Sequence, residues 1–401
     1  MSGPLTLERA LPASAAPLEA TLEPLDDIAV LEGQWRALES VARCSFFQTW
    51  NWIGSLLQSA ENLVAPRVLR VRAGSTLKGL ALMWPQRVWR HGFVHARQLH
   101  LNESGRPEID RITLEHNGIL AAAGDEAAVV GAVVRHLASR HDWDECYLSG
   151  LDDDLARRAW EEAAGGSLWY RSRWTKTYHL IDLTRVRDTG GDYTATLSAN
   201  TRYQARRALK LQAAAGPLAC ARARTLAQAL AWFDDLARLH RAHWTERGEP
   251  GAFSSDFTLR FHRAVIGRGW PRGAVQLLRV SACDETVGYV YNFEHQGIAS
   301  NYQSGHVAAP TNKVKPGLVV HCLAVQDSAE RGLSTYDLLM GGDHFKPSLS
   351  HTQGSMTWAA LQQRRPTLAL EHLLRELRAG WHHRAATGRA TAPAQEAPEA
   401  P

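Results

Sequence analysis

GIASNYQSGHVAAPTNKVKPGLVVHCLAVQDSAERGLSTYDLLMGGDHFK, residues 297–346, is the stretch whose reading decides the fold. Residues 297–304 read as a strand that ends in NYQSG, Asn301 to Gly305. A helix over 316–331 follows, and 334–340 is an apolar run of strand length. Strand, helix and strand in this order make a βαβ crossover. Pro316 suits the first helical position because it has no N–H to leave unpaired. The amides of Gly317 and Leu318 then stand at the positive end of the helix dipole, flanked by Lys313 and Lys315. That combination suits a phosphate or pyrophosphate, although an ordinary helix start with solvated lysines would read the same way. The apolar strand 334–340 runs into Gly341-Gly342, and Asp343, His344 and Lys346 follow at its carboxyl end, where ligands of α/β sheets sit. Asp343 or His344 suits a general base and Lys346 an anion; the alternative is a polar turn.

Working outward, strands are expected at 274–282, 286–294 and 355–362, and helices at 225–245, 256–267 and 366–384. Upstream, Ile28, Leu31, Trp35 and Leu38 recur at helical spacing behind Asp26 and Asp27, which supply a cap. FFQTWNWIGSLL (46–57) reads as a second helix. Runs 67–73 and 77–84 read as a hairpin, followed by a helix at 125–139, a strand at 145–149, a helix at 152–164 and a strand at 176–183. Hairpins together with one crossover predict an α/β (α+β) fold with mixed sheets flanked by helices. The expected organisation is a disordered tail at 1–16, an N-terminal domain at 17–190, a basic linker helix at 191–215, a C-terminal domain at 216–385 and a second tail at 386–401.

Length and composition agree with this reading. The 401 residues are 45% hydrophobic and 21% charged, enough for two to three packed domains and too apolar for a mostly disordered chain. Lys and Arg number 45 against 41 Asp and Glu, a net charge of +4, which argues against a dedicated polyanion binder. Only six of the basic residues are lysine, and Lys313, Lys315 and Lys346 are three of them. Five scattered cysteines with no C-x-x-C pair fit a reducing compartment, and no apolar stretch has the length of a membrane span. A cytoplasmic protein is expected. There is no GxxxxGK[ST], HExxH or GxSxG motif, and the 18 histidines show no metal spacing. Gly267, Gly269 and Gly273 lie between helix and strand, the wrong order for a dinucleotide loop.

Further candidates lie outside the opening stretch. Tyr291 and Tyr302 alternate with apolar neighbours, so each either faces a cleft or packs in the core. His321 falls on the buried face of its helix and reads as a core histidine. Arg202, Arg206 and Lys210 form one stripe of a helix capped by Ser198 or Asn200. Such a stripe suits phosphates of a cofactor, a nucleotide sugar or tRNA, or is simply solvated. Trp244 and Phe253 flank the corner between two helices, as a pocket wall or as its hydrophobic plug.

Taken together, LSANTRYQARRALKL (197–211), RGEPGAF (247–253), NYQSG (301–305), PGLVVHCLAVQDSAERGL (316–333) and YDLLMGGDHFK (336–346) resemble the BioF2-like/CelD-like acetyltransferases. FQTWNWI (47–53) matches as well, and the similarity spans about residues 25–365. This family belongs to the GNAT superfamily and is related to the FemAB-like aminoacyltransferases. The resemblance implies tandem GNAT-like domains and acyl transfer from acetyl-CoA or another acyl-CoA to an amine of a sugar, amino acid or cell-envelope or polysaccharide precursor; neither a metal nor a DNA partner is expected. The resemblance places the acceptor strand at 297–304 and the phosphate-facing helix at 316–331. With the residue readings above, the expected site has Tyr302, Asp343 and His344 as catalytic residues and Gln303, Lys313, Lys315, Gly317, Leu318 and Lys346 around the donor. Arg202, Arg206, Lys210, Trp244, Phe253 and Tyr291 would then contact the acceptor or its anionic part. The sequence departs from ordinary GNAT enzymes at the acetyl-CoA loop (Q/R)-x-x-G-x-(G/A), where it reads TNKVKPG (311–317). Two alternatives therefore stand beside acyl-CoA: a FemAB-like enzyme fed by aminoacyl-tRNA, and a non-catalytic scaffold in polysaccharide biosynthesis.

Overall fold

Capping side chains start the long helices where the sequence places them. Asp27 accepts from the amides of Ala29 and Val30 at 2.7 and 3.1 Å, and Ser255 accepts from Thr258 N at 3.1 Å. Each such cap is worth about 1 kcal/mol. The computed structural model describes residues 16–375 apart from 61, 63, 310, 312, 313 and 342–344. The expected tails, save Ala16, and the expected helix beyond 375 lie outside these residues; 366–375 is helical.

The N-terminal half runs β1 (Leu18–Pro24), α1 (Ile28–Glu39), α2 (Trp50–Ser59), β2 (Arg67–Ala73), β3 (Thr76–Arg90), β4 (Val94–Leu101), α3 (Pro107–Asp110), β5 (Leu120–Ala121), α4 (Glu126–Ala138), β6 (Glu145–Asp152), α5 (Asp153–Ala164) and β7 (Leu168–Asp182). The link holds α6 (Leu183–Asp188) and α7 (Ala199–Ala213). The C-terminal half runs β8 (Leu218–Arg222), α8 (Leu226–Thr245), α9 (Asp256–Gly269), β9 (Val275–Ala282), β10 (Glu285–His295), β11 (Ile298–His306), α10 (Pro316–Glu330), β12 (Thr335–Met340), α11 (Phe345–Leu349) and β13 (Thr352–Gln363). The predicted elements are present with ends shifted by a few residues. Three differences are larger. Strands β1, β4, β5 and β8 were not expected, β3 extends to Arg90 because its outer end pairs with β4, and β7 begins at Leu168 because it pairs with β13 from there to Leu180.

Each half is a mixed sheet flanked by helices, and the two sheets are one. Thirteen strands join in the order β1-β2-β3-β4-β6-β13-β7-β12-β11-β10-β9-β8, with β5 on β3. The last strand among the described residues, β13, therefore sits in the N-terminal half, between β6 and β7. Strand β7 in turn pairs with β12 of the C-terminal half. Side-chain alternation gives the sheet two buried faces. On one, Phe46, Phe47 and Trp52 of the N-terminal half pack with Phe261, Phe293 and Tyr302 of the C-terminal half in a shared aromatic core. Phe46 stacks on Phe293 at 4.1 Å, and Trp52 meets Phe261 edge-on at 4.8 Å. On the other face each half has its own cluster, under α4 and α5 in one and under α7 and α10 in the other. Among the described residues no helix is long and apolar enough to cross a membrane.

One local geometry positions the site. Parallel strands β11 and β12 pair only at Ile298↔Thr335, Ala299↔Tyr336 and Ser300↔Asp337. Beyond that point β11 continues to His306 and β12 to Met340 without pairing, so the sheet opens at their carboxyl ends. A register shift between Asp337 and Met340 bends β12. Within it Leu339 adopts φ 60°, a left-handed conformation costly for a bulky side chain. Asp337 supports it by accepting from Leu339 N at 2.7 Å.

Candidate active site

A cavity of about 1290 Å³ opens where β11 and β12 part. Tyr302 to His306 of β11 form one wall, and Leu338 to Gly341 at the end of β12 form another. The first turn of α10 faces it with Lys315, Pro316, Gly317 and Leu318, and among the described residues no side chain caps that turn. A Cβ on Gly317 would lie 3.1 Å from the His306 ring, so glycine lets backbone and imidazole approach closely at the mouth. The N-terminal half closes the cavity with Thr113, Glu115 and Lys176.

The electrostatics are one-sided. Among the described residues, Lys176, Arg247, Lys315 and Lys346 line the cavity against one carboxylate, Glu115. Lys315 Nζ donates to Gln204 Oε1 at 2.6 Å, which places the ammonium beside the uncapped α10 amides. Burial pushes the Glu115 carboxyl up to about 7, with Asp337 adding to the rise. The Met340 amide, donating to Glu115 Oε2 at 2.7 Å, and the Lys346 ammonium oppose it. Lys346 donates to the Met340 carbonyl, so Met340 is held through both its backbone N–H and its backbone carbonyl. Burial holds Lys346 below its ordinary value, against the pull of Glu115 and Asp337. Behind them His116 Nε2 lies 2.8 Å from Asp337 Oδ2. Burial works against the charged imidazole there, but the Asp337 carboxylate outweighs it and raises its basicity. On the far wall His240 is neutral, because burial drops it to about 4. Its Nε2 accepts from Ala252 N at 3.2 Å, so its Nδ1 carries the proton toward Ser304 O at 3.4 Å.

Several expected residues come together here. Tyr302, Gln303, Lys315, Gly317, Leu318, Lys346 and Trp244 all line the cavity. The Tyr302 hydroxyl donates to the Ile112 carbonyl of the N-terminal half, and burial holds it protonated. His321 is buried, as expected, and it also borders the cavity; burial drops it to about 3. Lys313, Asp343 and His344 lie outside the described residues.

Others are placed elsewhere. Tyr291 is fully buried in the shared aromatic core, 5.0 Å from Phe293, because its side of β10 faces α8 and α9. Phe253 is the plug of the helix corner, packed on Phe233 and His240 at 5.3 and 5.2 Å. Helix α7 turns Asn200, Thr201 and Gln204 to the cavity. At about 100° per residue, Arg202, Arg206 and Lys210 then face another side. Arg202 bonds Leu197 O at 2.9 Å, Arg206 pairs with Asp192 at 2.9 Å, and Lys210 is exposed.

Sequence reading missed Glu115, His116, Lys176, His240 and Asp337. Asp337 alone left a clear signal, a carboxylate inside the apolar run TYDLLM. Glu115 and His116 sit in an irregular segment with no periodicity, and only the fold carries them to β12.

Residues 199–347 match the acetyltransferase (GNAT) domain family. The GNAT segment thus begins at α7 and includes β11, α10 and β12, the elements that frame the cavity. Among solved structures, FemX superposes with a TM-score of 0.56 at 9% identity, covering 84% of this chain and 96% of FemX. L-PGS from Bacillus licheniformis gives 0.52 at 10% identity, over 88% of this chain and 98% of that one. A protein of unknown function from Bacteroides thetaiotaomicron gives 0.50 at 9% identity, over 85% and 99%. No curated protein sequence matches the chain. At such identities the likeness is one of fold, a large mixed sheet flanked by helices, and the GNAT match itself covers residues 199–347.

Proposed function

We propose that the chain is a GNAT-type N-acyltransferase of the BioF2-like/CelD-like kind, moving an acyl group from acyl-CoA to the amine of a sugar, amino acid or envelope precursor. The observation that carries this reading is the opening between β11 and β12, with an uncapped helix start and four cationic side chains around it. A polyanionic donor fits that field. Its thioester would lie along β11, near Tyr302 and Gln303, with its phosphates toward Lys315 and the Gly317 and Leu318 amides.

In the transfer the acceptor amine attacks the thioester carbonyl carbon. The C–N bond forms, the C–S bond breaks, and CoA leaves as a thiolate whose charge balances the proton that the amine gives up. The proton lost by the amine passes to the Glu115 carboxylate, whose raised pKa suits a base at neutral pH. Tyr302 keeps the strand and the Ile112 segment together through its hydroxyl. Lys346 and His116 position the Met340 peptide and Asp337 around that base. A role for Asp343 or His344, which follow β12 in the sequence, is part of this proposal.

Native mass spectrometry of the full chain with acetyl-CoA, longer acyl-CoAs and free CoA tests it. A retained acyl-CoA adduct is expected. Absence of any adduct, together with binding of charged tRNA better than random RNA of equal length, would replace acyl-CoA with an aminoacyl donor.

A further inference from the structure

The N-terminal half holds a second cavity, of about 470 Å³, that the transfer chemistry above does not use. It lies on the sheet face where Gln98, His100, Tyr147 and Ser149 alternate with Leu99, Leu101, Cys146 and Leu148 of the opposite, buried face. The segment bearing Glu103 and Asp110 covers it. Thr113, Lys176 and Met340 line both cavities, so the two meet at the peptide group that Glu115 holds. Pockets for small ligands occupy about 300–1,000 Å³, and this one suits a single compact molecule.

Its walls combine aromatic faces with hydroxyl-binding groups. Trp174 and Trp358 face each other across β7 and β13, with ring centroids 6.2 Å apart, and Trp174 is 42% exposed. His100 stacks on Tyr147 at 4.7 Å. The Arg173 guanidinium lies 4.4 Å from the Trp174 ring and 4.9 Å from that of Tyr147. Among the described residues no hydrogen bond or ion pair engages its N–H groups. Asp110 is already committed, accepting from Ser104 N and Oγ at 2.9 and 2.8 Å. Glu103 is not, apart from Ser149, and burial with the nearby Asp110 pushes it up to about 8. At neutral pH its carboxyl therefore both donates and accepts.

A sugar hydroxyl needs partners of both kinds, and the C–H face of a pyranose packs on an aromatic ring. Arg173 and Lys176, which also line the wall, add N–H donors for ring hydroxyls. We propose that this cavity binds the saccharide ring of an amino-sugar acceptor, its amino group directed past Thr113 toward Glu115. The inference rests on the acyl-transfer reading and narrows its acceptor.

Saturation-transfer NMR of the full chain tests it with D-glucosamine and L-lysine as probes, while native mass spectrometry follows acetyl-CoA on the same samples. Saturable glucosamine binding is expected, weakened about tenfold in Trp174→Ala, whose side chain is exposed, and in Glu103→Gln. Acetyl-CoA binding in both variants should equal that of the parent. Glucosamine binding unchanged in Trp174→Ala, or absent from the parent while acetyl-CoA binds, overturns the sugar site alone. Preference for lysine, lost in Trp174→Ala, also overturns it in favour of an amino-acid acceptor. Glucosamine binding that Trp174→Ala weakens, in a protein that binds no acetyl-CoA, upholds the site and removes the acyl-CoA donor instead.

Discussion

Glu115 reaches the cavity from an irregular segment of the N-terminal half, and its environment sets its protonation. Burial and Asp337 raise its pKa to about 7, while the Met340 amide and Lys346 hold it from rising further. The base form is the carboxylate, so kcat/KM should rise with pH through about 7 on this group's account. Replacing it by Gln should lower kcat/KM by about 10² to 10⁴ and flatten that limb. A pH profile that keeps its rising limb in Glu115→Gln would assign the base elsewhere. The same shift has a stability consequence. The folded state keeps the proton to higher pH than the unfolded chain, so this group's contribution is present below the unfolded pKa, near 4.5, and is lost as pH rises toward 7. Glu115→Gln should remove that slope from pH-dependent melts. Lys315 offers a cleaner separation, being exposed. Lys315→Ala should weaken acyl-CoA binding about tenfold and leave the melting temperature unchanged. Titration of the donor into both proteins decides it, and unchanged affinity would take Lys315 out of the site.

At the scale of elements, β11 is held against α8 with no space to spare. A Cβ on Gly305 would lie 2.7 Å from the Leu236 carbonyl, a backbone atom that cannot step aside. Gly305→Ala should therefore cost about 1–3 kcal/mol by pushing helix from strand. Because Gly305 borders the cavity, donor affinity should fall too. A urea melt that matches the parent would show that α8 moves freely. The β11-α10-β12 unit was legible in the sequence because its periodicity changes from strand to helix and back within one stretch, with Pro316 marking the helix start. Strand β7 was legible only from residue 176 on. Its first part, LWYRSRWT, has exposed and half-buried residues without the apolar alternation of a covered face. Helix α7 shows the opposite failure. Its basic stripe was real, but the sequence does not say which face a helix turns to its neighbours, and packing of Ala205 and Ala208 decided that. Glu115 and His116 became site residues through chain crossings that no local pattern encodes.

For the whole molecule, the decisive feature is that β13 threads back. Sequence order divides the chain into two domains with a linker, while sheet order places residues 352–363 between β6 and β7 of the first half. Strand β13 pairs with β7 from Leu168 to Leu180 and with β6 from Glu145 to Asp152, so removing it unpairs two strands at mid-sheet. It also carries Met356, Ala359, Ala360 and Leu361, all buried. The shared aromatic core couples the halves further, because Phe47 and Trp52 pack against Phe293 and Tyr302. Two consequences follow. The full chain should unfold in one cooperative transition, and Trp52→Ala, at about 3–5 kcal/mol, should lower the stability of both halves together. A chain ending at Ser350 should retain the whole GNAT-matched segment yet fail to give a cooperative melt, since the unpaired edges of β6 and β7 would be exposed. Supplying residues 350–375 as a separate peptide should restore the transition. Circular dichroism and sedimentation decide between the outcomes: a truncated chain that melts cooperatively at the parent temperature would make the N-terminal half independent of β13 and return the division to the one the sequence order suggests.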